Sequence, residues 1–113
     1  MWRYPSEMTI HWRYDPSNTG HDFNTASGQF ALNTWYYITC VKNGATTNVY
    51  LNGTYLSAGS VASPKTRGTS AITLFEDYDA NMAQVGCLHV YRRPLTATEI
   101  SQNFAAIRGN YGI

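Results

Sequence analysis

With 113 residues, 43% of them hydrophobic, 14% aromatic and 13% charged, the chain can bury one small core and is too apolar for a disordered segment. Its formal net charge is +1 and its sole basic pair is Arg92-Arg93, so the electrostatic footprint of a nucleic-acid binder is missing. No apolar run nears the ~20 residues that cross a bilayer, and no apolar core of a signal peptide follows residues 1–5. The expectation is one soluble domain over residues 1–113 with neither a nucleic-acid nor a membrane partner, reaching the outside within a particle, by lysis or after processing.

Residues 7–14 alternate as a strand, with Met8, Ile10 and Trp12 on one face and Thr9, His11 and Arg13 on the other. Asp15-Pro16-Ser17-Asn18-Thr19-Gly20 is a turn cluster, and the chain stays polar to Gly28. Residues 29–32 form a short strand, with Phe30 and Leu32 sharing a face. Trp-Arg-Tyr occurs at 2–4 and again at 12–14, but two tripeptides without further similarity make no repeat.

Residues 35–42 are an aromatic and β-branched run. Trp35, Tyr37, Thr39 and Val41 lie on one side, Tyr36, Ile38 and Cys40 on the other, so both faces are expected to meet something, and Trp35 is assigned to the core. Asn43-Gly44 and Asn52-Gly53 then bracket the strand at 47–51, with a further strand at 54–56. Asn-Gly suits tight hairpins because both residues tolerate positive φ, so the two pairs predict a meander.

A Ser/Pro/Gly/Thr loop at 59–70, a strand at 71–75, an acidic loop at 76–81 and a strand at 82–91 follow. Thr96-Ala97-Thr98-Glu99 has capping-box form, with Ile100, Phe104 and Ile107 at helical spacing behind it and Gly109 closing the turn. Cys40 and Cys87 lack metal-ligand or redox spacing. They read as two small buried hydrophobes, with a disulfide between strands as the lesser alternative.

Three segments occur in order: Trp35-Tyr36-Tyr37-Ile38-Thr39, Val49-Tyr50-Leu51-Asn52-Gly53, and Val90-Tyr91-Arg92-Arg93-Pro94-Leu95-Thr96-Ala97-Thr98-Glu99-Ile100. Together they resemble the laminin-G-like domains of the concanavalin A-like lectin/glucanase superfamily over the last two thirds of the chain. The ending, residues 102–113, is similar to the tails of such domains in phage and virus structural proteins. The resemblance implies an all-β, antiparallel jelly-roll-type β-sandwich with a short C-terminal helix at one edge. Compared with the family pattern, the strands before Trp35 look reduced, and an uncovered sheet invites partners. Ala83, Gly86 and Cys87 replace the usual Gly and acidic residues before the final Tyr-ended strand, which weakens any carried-over ligand role.

Asp77, Asp79 and Asn81 are the candidate calcium ligands, as some laminin-G-like domains carry such a site. Calcium wants six or more oxygens, so a solvated hairpin loop is the preferred account of these residues. Trp12, Tyr14, His11 and Tyr78 are candidates for a platform on which a sugar ring stacks, with Asp15, Asn18 and Asp79 as polar neighbours. For each aromatic taken singly, a place in or beside the core is the plainer reading. Glu76-Asp77-Tyr78-Asp79 does not follow the E-x-D-x-x-E order of the superfamily's glucanases, and Glu76 and Asp77 would point to opposite faces of a strand. No Ser or Cys has a base placed beside it in the sequence, no Gly-rich phosphate loop is present, and His11, His21 and His89 lack ligand spacing. Asn52-Gly53-Thr54 matches a glycosylation acceptor, but a hairpin turn accounts for it better.

The chain is therefore expected to be non-enzymatic. The leading expectation is a structural or decoration module on the capsid or tail of a virus or phage particle. Its partners would be other virion proteins or its own copies in a homo-oligomer, with host glycans as a further ligand. The alternatives are a lectin-like carbohydrate-binding module of an extracellular, cell-surface protein and, last, a glycoside hydrolase.

Overall fold

Two tight turns organise the sheet. The computed structural model describes residues 11–12, 23–24, 30–31, 33–44, 46–60 and 84–113. Strand β1 (His11–Trp12) pairs antiparallel with β2 (Phe23–Asn24). The main sheet is an antiparallel meander in the order β3-β4-β5, built from Ile38–Asn43, Thr46–Leu51 and Thr54–Ser60.

At the second turn, Leu51 faces Thr54, and Asn52 and Gly53 take φ of 49° and 77°. Positive φ at both central residues is what Asn-Gly accommodates at least cost, so this turn forms as its residues dictate. At the first turn, Asn43 is already paired with Thr46, so the turn starts at Gly44, one residue later than the Asn-Gly pair predicts. Gly44, at φ 57°, takes the left-handed position there.

Adjacent residues Val49 and Tyr50 are both buried, and side chains alternate between faces along a strand. Strand β4 is thus covered on both faces, as a central strand of a sandwich should be. A register irregularity between these same two residues shifts the pairing with β5. The core joins Val41 and Tyr50 of the sheet to Leu95 and Ile100 of the C-terminal region.

Helix α1 (Ala97–Ile107) follows. Thr96 is its N-cap: its hydroxyl accepts from the Glu99 amide at 3.2 Å, and the Glu99 carboxylate accepts from the Thr96 amide at 2.8 Å. This is the reciprocal capping box its sequence predicts. The C-terminal end differs from expectation. Gly109 lies inside a 3-10 turn, Arg108–Asn110, and the left-handed glycine is Gly112, at φ 69°. The amides of Tyr111 and Ile113 both donate to the Arg108 carbonyl, which ends the chain in a compact hook.

Several sequence expectations need correction. The strand foreseen at 35–42 runs Ile38–Asn43, and β5 extends to Ser60, beyond 56. Trp35 is not core: it is 37% exposed, because it sits ahead of the sheet and packs beside Tyr111 with ring centroids 5.1 Å apart. The strand foreseen at 82–91 is absent over its described part, residues 84–91, which no described strand pairs with. Alternating apolar residues form a strand only where a neighbour takes up their backbone groups. Tyr91, foreseen as its last residue, is 47% exposed, and its hydroxyl accepts from Asn103 Nδ2 at 3.1 Å. Phe30 is buried, edge-on to Tyr36, yet residues 30–31 are not in the strand expected at 29–32. The strands foreseen at 7–14 and 71–75 fall mostly or wholly outside the described residues.

Candidate functional site

The sequence-derived binding residues are scattered by what can be described. Trp12 stands in β1 opposite Phe23. Tyr14, Tyr78, Asp77, Asp79 and Asn81 lie outside the described residues, so the sugar platform and the calcium loop have no geometry to report. Among the described residues no three His, Cys, Asp or Glu side chains gather as a metal site, and no helix is long and apolar enough to cross a membrane.

The described chemistry gathers where α1 meets the β4–β5 hairpin. Asn52 clasps Tyr37 twice: its amide donates to the Tyr37 carbonyl at 2.8 Å, and its side-chain Oδ1 accepts from the Tyr37 amide at 2.9 Å. The Tyr37 ring stacks on Phe104, with centroids 6.0 Å apart and planes at 22°. Gly53 passes so close to Phe104 that a Cβ there would stand 3.0 Å from Cδ1 and 3.2 Å from Cβ of that ring. The Arg108 guanidinium lies over the Phe104 ring, 5.8 Å from its centre. The Asn52 carboxamide is therefore engaged in holding the turn, which supports the hairpin account of the Asn-Gly-Thr motif.

Glu99 is the one acidic side chain among the described residues. Arg93 grips it bidentately, Nη1 to Oε2 at 2.9 Å and Nη2 to Oε1 at 2.5 Å, while the Thr96 amide and hydroxyl donate to Oε2. The Arg93 hydrogen bond, then the Thr96 amide, lower the Glu99 pKa to about 2. In return, Glu99 raises the Arg93 pKa further above its ordinary value. The ion pair is surface-exposed and salt-screened, so its worth lies in geometry more than in stability. Sequence reading found the cap and missed the arginine, whose Nη1 also donates to the Pro94 carbonyl at 3.2 Å.

A second cluster surrounds Tyr111. It packs on Trp35, and a Cβ at Gly86 would lie 2.8 Å from its Cζ and Oη, so only glycine admits the ring. Desolvation first, and then a hydrogen bond shared with Cys87, raises the Tyr111 pKa. Both cysteines are free. Cys40 is half-buried and burial pushes its thiol up to about 11, so it is not a thiolate at neutral pH. Cys87, expected to be buried, is exposed, and no described strand pairs with the segment that carries it.

Large apolar side chains remain in exposed positions: Ile38, Tyr55, Val85, Leu88, Val90 and Tyr91, besides Trp35. His89 is exposed next to them, facing solvent as expected though not from a strand, and meets Tyr91 edge-on.

Comparison with known proteins agrees with this architecture. A laminin-G-type family model, described as the concanavalin A-like lectin/glucanases superfamily, matches residues 1–101. The match takes in the first third of the chain, which motif reading left outside the resemblance. No curated protein matches the chain. Among solved structures, residues 221–444 of an S-layer domain-containing protein from Clostridium thermocellum are similar, at 16% identity and a TM-score of 0.46. That alignment covers 74% of this chain and 44% of the other, so this chain spans less than half the length of the structure it matches.

Proposed function

We propose, given that the chain belongs to the concanavalin A-like lectin/glucanase superfamily, that it is a non-enzymatic surface module which attaches or binds carbohydrate. Membership by itself admits both binding modules and glycosidases, so the choice rests on chemistry. What supports it is the set of exposed aromatic and apolar side chains, Trp35, Tyr55, Val85, Leu88, Val90 and Tyr91, together with the use made of Glu99, the one acidic side chain among the described residues. A glycosidase's general acid needs a raised pKa and an open position beside a second carboxylate. Glu99 has a lowered pKa, and its carboxylate oxygens are engaged by Arg93 and the helix cap. The acids of the 76–79 segment add support from their order, which departs from the glucanase pattern. Exposed Trp35, Tyr55 and Tyr91 fit a contact role, since aromatic rings with apolar bodies and polar tips serve both sugar stacking and protein attachment.

Within this reading, the finer assignment is a decoration module on a virus or phage particle, in contact with other particle proteins or its own copies. What supports it is the similarity of residues 102–113 to the tails of such domains in virus structural proteins. That stretch lies beyond the family match at 1–101 and stands as an independent signal. A lectin-like module of a cell-surface protein is the second reading, favoured by the superfamily alone. Three measurements decide between them: reducing-sugar release from β-glucans, a glycan array with and without calcium, and sedimentation with assembled particles. The expected result is no hydrolysis, with particle association or glycan binding present. Hydrolysis overturns the non-enzymatic reading, and silence in all three overturns the binding and attachment readings together.

A further inference from the structure

The chain contains the dipeptide Asn-Gly twice, at 43–44 and 52–53, each at a hairpin, and the two are held in different ways. Asn-Gly is also the sequence in which a backbone amide most readily attacks the preceding side chain, because glycine offers no steric shield. We propose that Asn43-Gly44 is a site of spontaneous succinimide formation and deamidation, and that the fold protects the same dipeptide at Asn52-Gly53.

The reaction needs no enzyme. The Gly44 nitrogen gives up its proton to hydroxide and attacks Asn43 Cγ. The new N–C bond closes a five-membered ring, the Cγ–Nδ2 bond breaks, and Nδ2 leaves as ammonia. Water then opens the ring at either carbonyl, leaving aspartate or isoaspartate. To begin, the Asn carboxamide must turn towards its C-terminal neighbour and the turn must rearrange around it.

At Asn43 both movements are open. Asn43 and Gly44 are exposed, no hydrogen bond reaches the Asn43 carboxamide among the described residues, and nothing beyond its two chain neighbours stands within 4 Å of where a Gly44 Cβ would be. Lys42 Nζ donates to the Gly44 carbonyl at 2.6 Å from within the same turn, a bond that does not involve the Asn43 carboxamide. At Asn52 both movements are blocked. Turning the carboxamide breaks its 2.9 Å bond from the Tyr37 amide, and shifting Gly53 drives it into, or pulls it from, the Phe104 ring.

The product has consequences at the first hairpin. A new carboxylate takes the formal net charge from +1 to zero, next to Lys42. Isoaspartate also routes the main chain through the side chain and inserts an extra backbone atom at the pair Asn43–Thr46, which closes the β3–β4 ladder.

The test is peptide mass spectrometry on the full chain aged in mildly alkaline buffer. The Asn43 peptide is expected to gain about 1 Da as amide becomes acid, while the Asn52 peptide lags at least about fivefold, the factor that one retained hydrogen bond supplies. Asn43→Gln removes the gain at the first peptide. In urea, where the clasp is gone, the two rates converge. If Asn52 keeps pace with Asn43 in the folded protein, or Asn43 stays intact while the unfolded chain deamidates, the proposal is overturned.

Discussion

Residues 84–91 carry four large apolar side chains and expose all of them, whereas residues 96–107 carry Ile100, Phe104 and Ile107 and bury or half-bury all three. The two stretches are near neighbours in the chain and comparably apolar, so hydrophobicity does not separate them. What separates them is where the backbone hydrogen bonds go. A helix closes its own from within and needs only its ends satisfied, which Thr96, Glu99 and Arg93 do at the start of α1. A strand closes none without a neighbour, and no described strand lies beside 84–91. One region carries its structure locally, and the other depends on whatever is placed next to it.

The heaviest test of this contrast is at Ile100. It is fully buried and joins the helix to Val41 and Tyr50 of the sheet. Ile100→Ala is expected to cost about 2–5 kcal/mol, the range for a truncated core aliphatic, read as a fall in denaturation midpoint. A loss under about 1 kcal/mol would mean that the helix stands apart from the sheet and that the local account covers the docking too.

The cap comes next. Thr96→Ala is expected to cost about 1 kcal/mol and to fray the first turn of α1, seen as lost helical circular dichroism. Acid should act on the same turn through Glu99. Its pKa is lowered from an ordinary 4.5 to about 2, so the folded state favours its charged form. That contribution is complete above the unfolded value near 4.5 and is lost as pH falls through about 2. Helicity at residues 96–100 should therefore decline over this window, and Glu99→Gln should flatten the decline.

The features legible in the sequence are those whose cause is short-range. The capping box lies within four residues, and Asn52-Gly53 forms the expected turn because both φ preferences are intrinsic. The hairpin at Asn43-Gly44 is right in kind and off by one residue, because pairing of Asn43 with Thr46 decides the loop and a dipeptide does not report its partner. Alternation places Trp35 on the core side, yet it says which side a residue faces and not whether anything lies there. Arg93 with Glu99, Asn52 with Tyr37, and Tyr111 with Trp35 and Gly86 were not legible, since each joins residues the chain brings together only on folding. Of the proposed binding residues, His11 and Trp12 fall on a described element, strand β1.

The smallest expected effect falls on the exposed segment. Leu88 is 56% exposed, so Leu88→Ser should change stability by no more than about 0.5 kcal/mol, the usual range for a surface site without special contacts. Amide exchange at 84–91 should be fast, while the amides of 100–107, held by helix bonds over a buried Ile100, exchange slowly. The value of this pair of measurements lies in how it could fail. Slow exchange at 84–91, or a loss well beyond 1 kcal/mol from Leu88→Ser, would require a neighbour that pairs with the segment and covers it. A protein-concentration series then identifies the neighbour. Protection that grows with concentration assigns it to a second copy of the chain, in line with an assembling surface module. Protection independent of concentration assigns it to the chain itself, and residues 84–91 would then join the sheet by long-range pairing, as their alternation suggests.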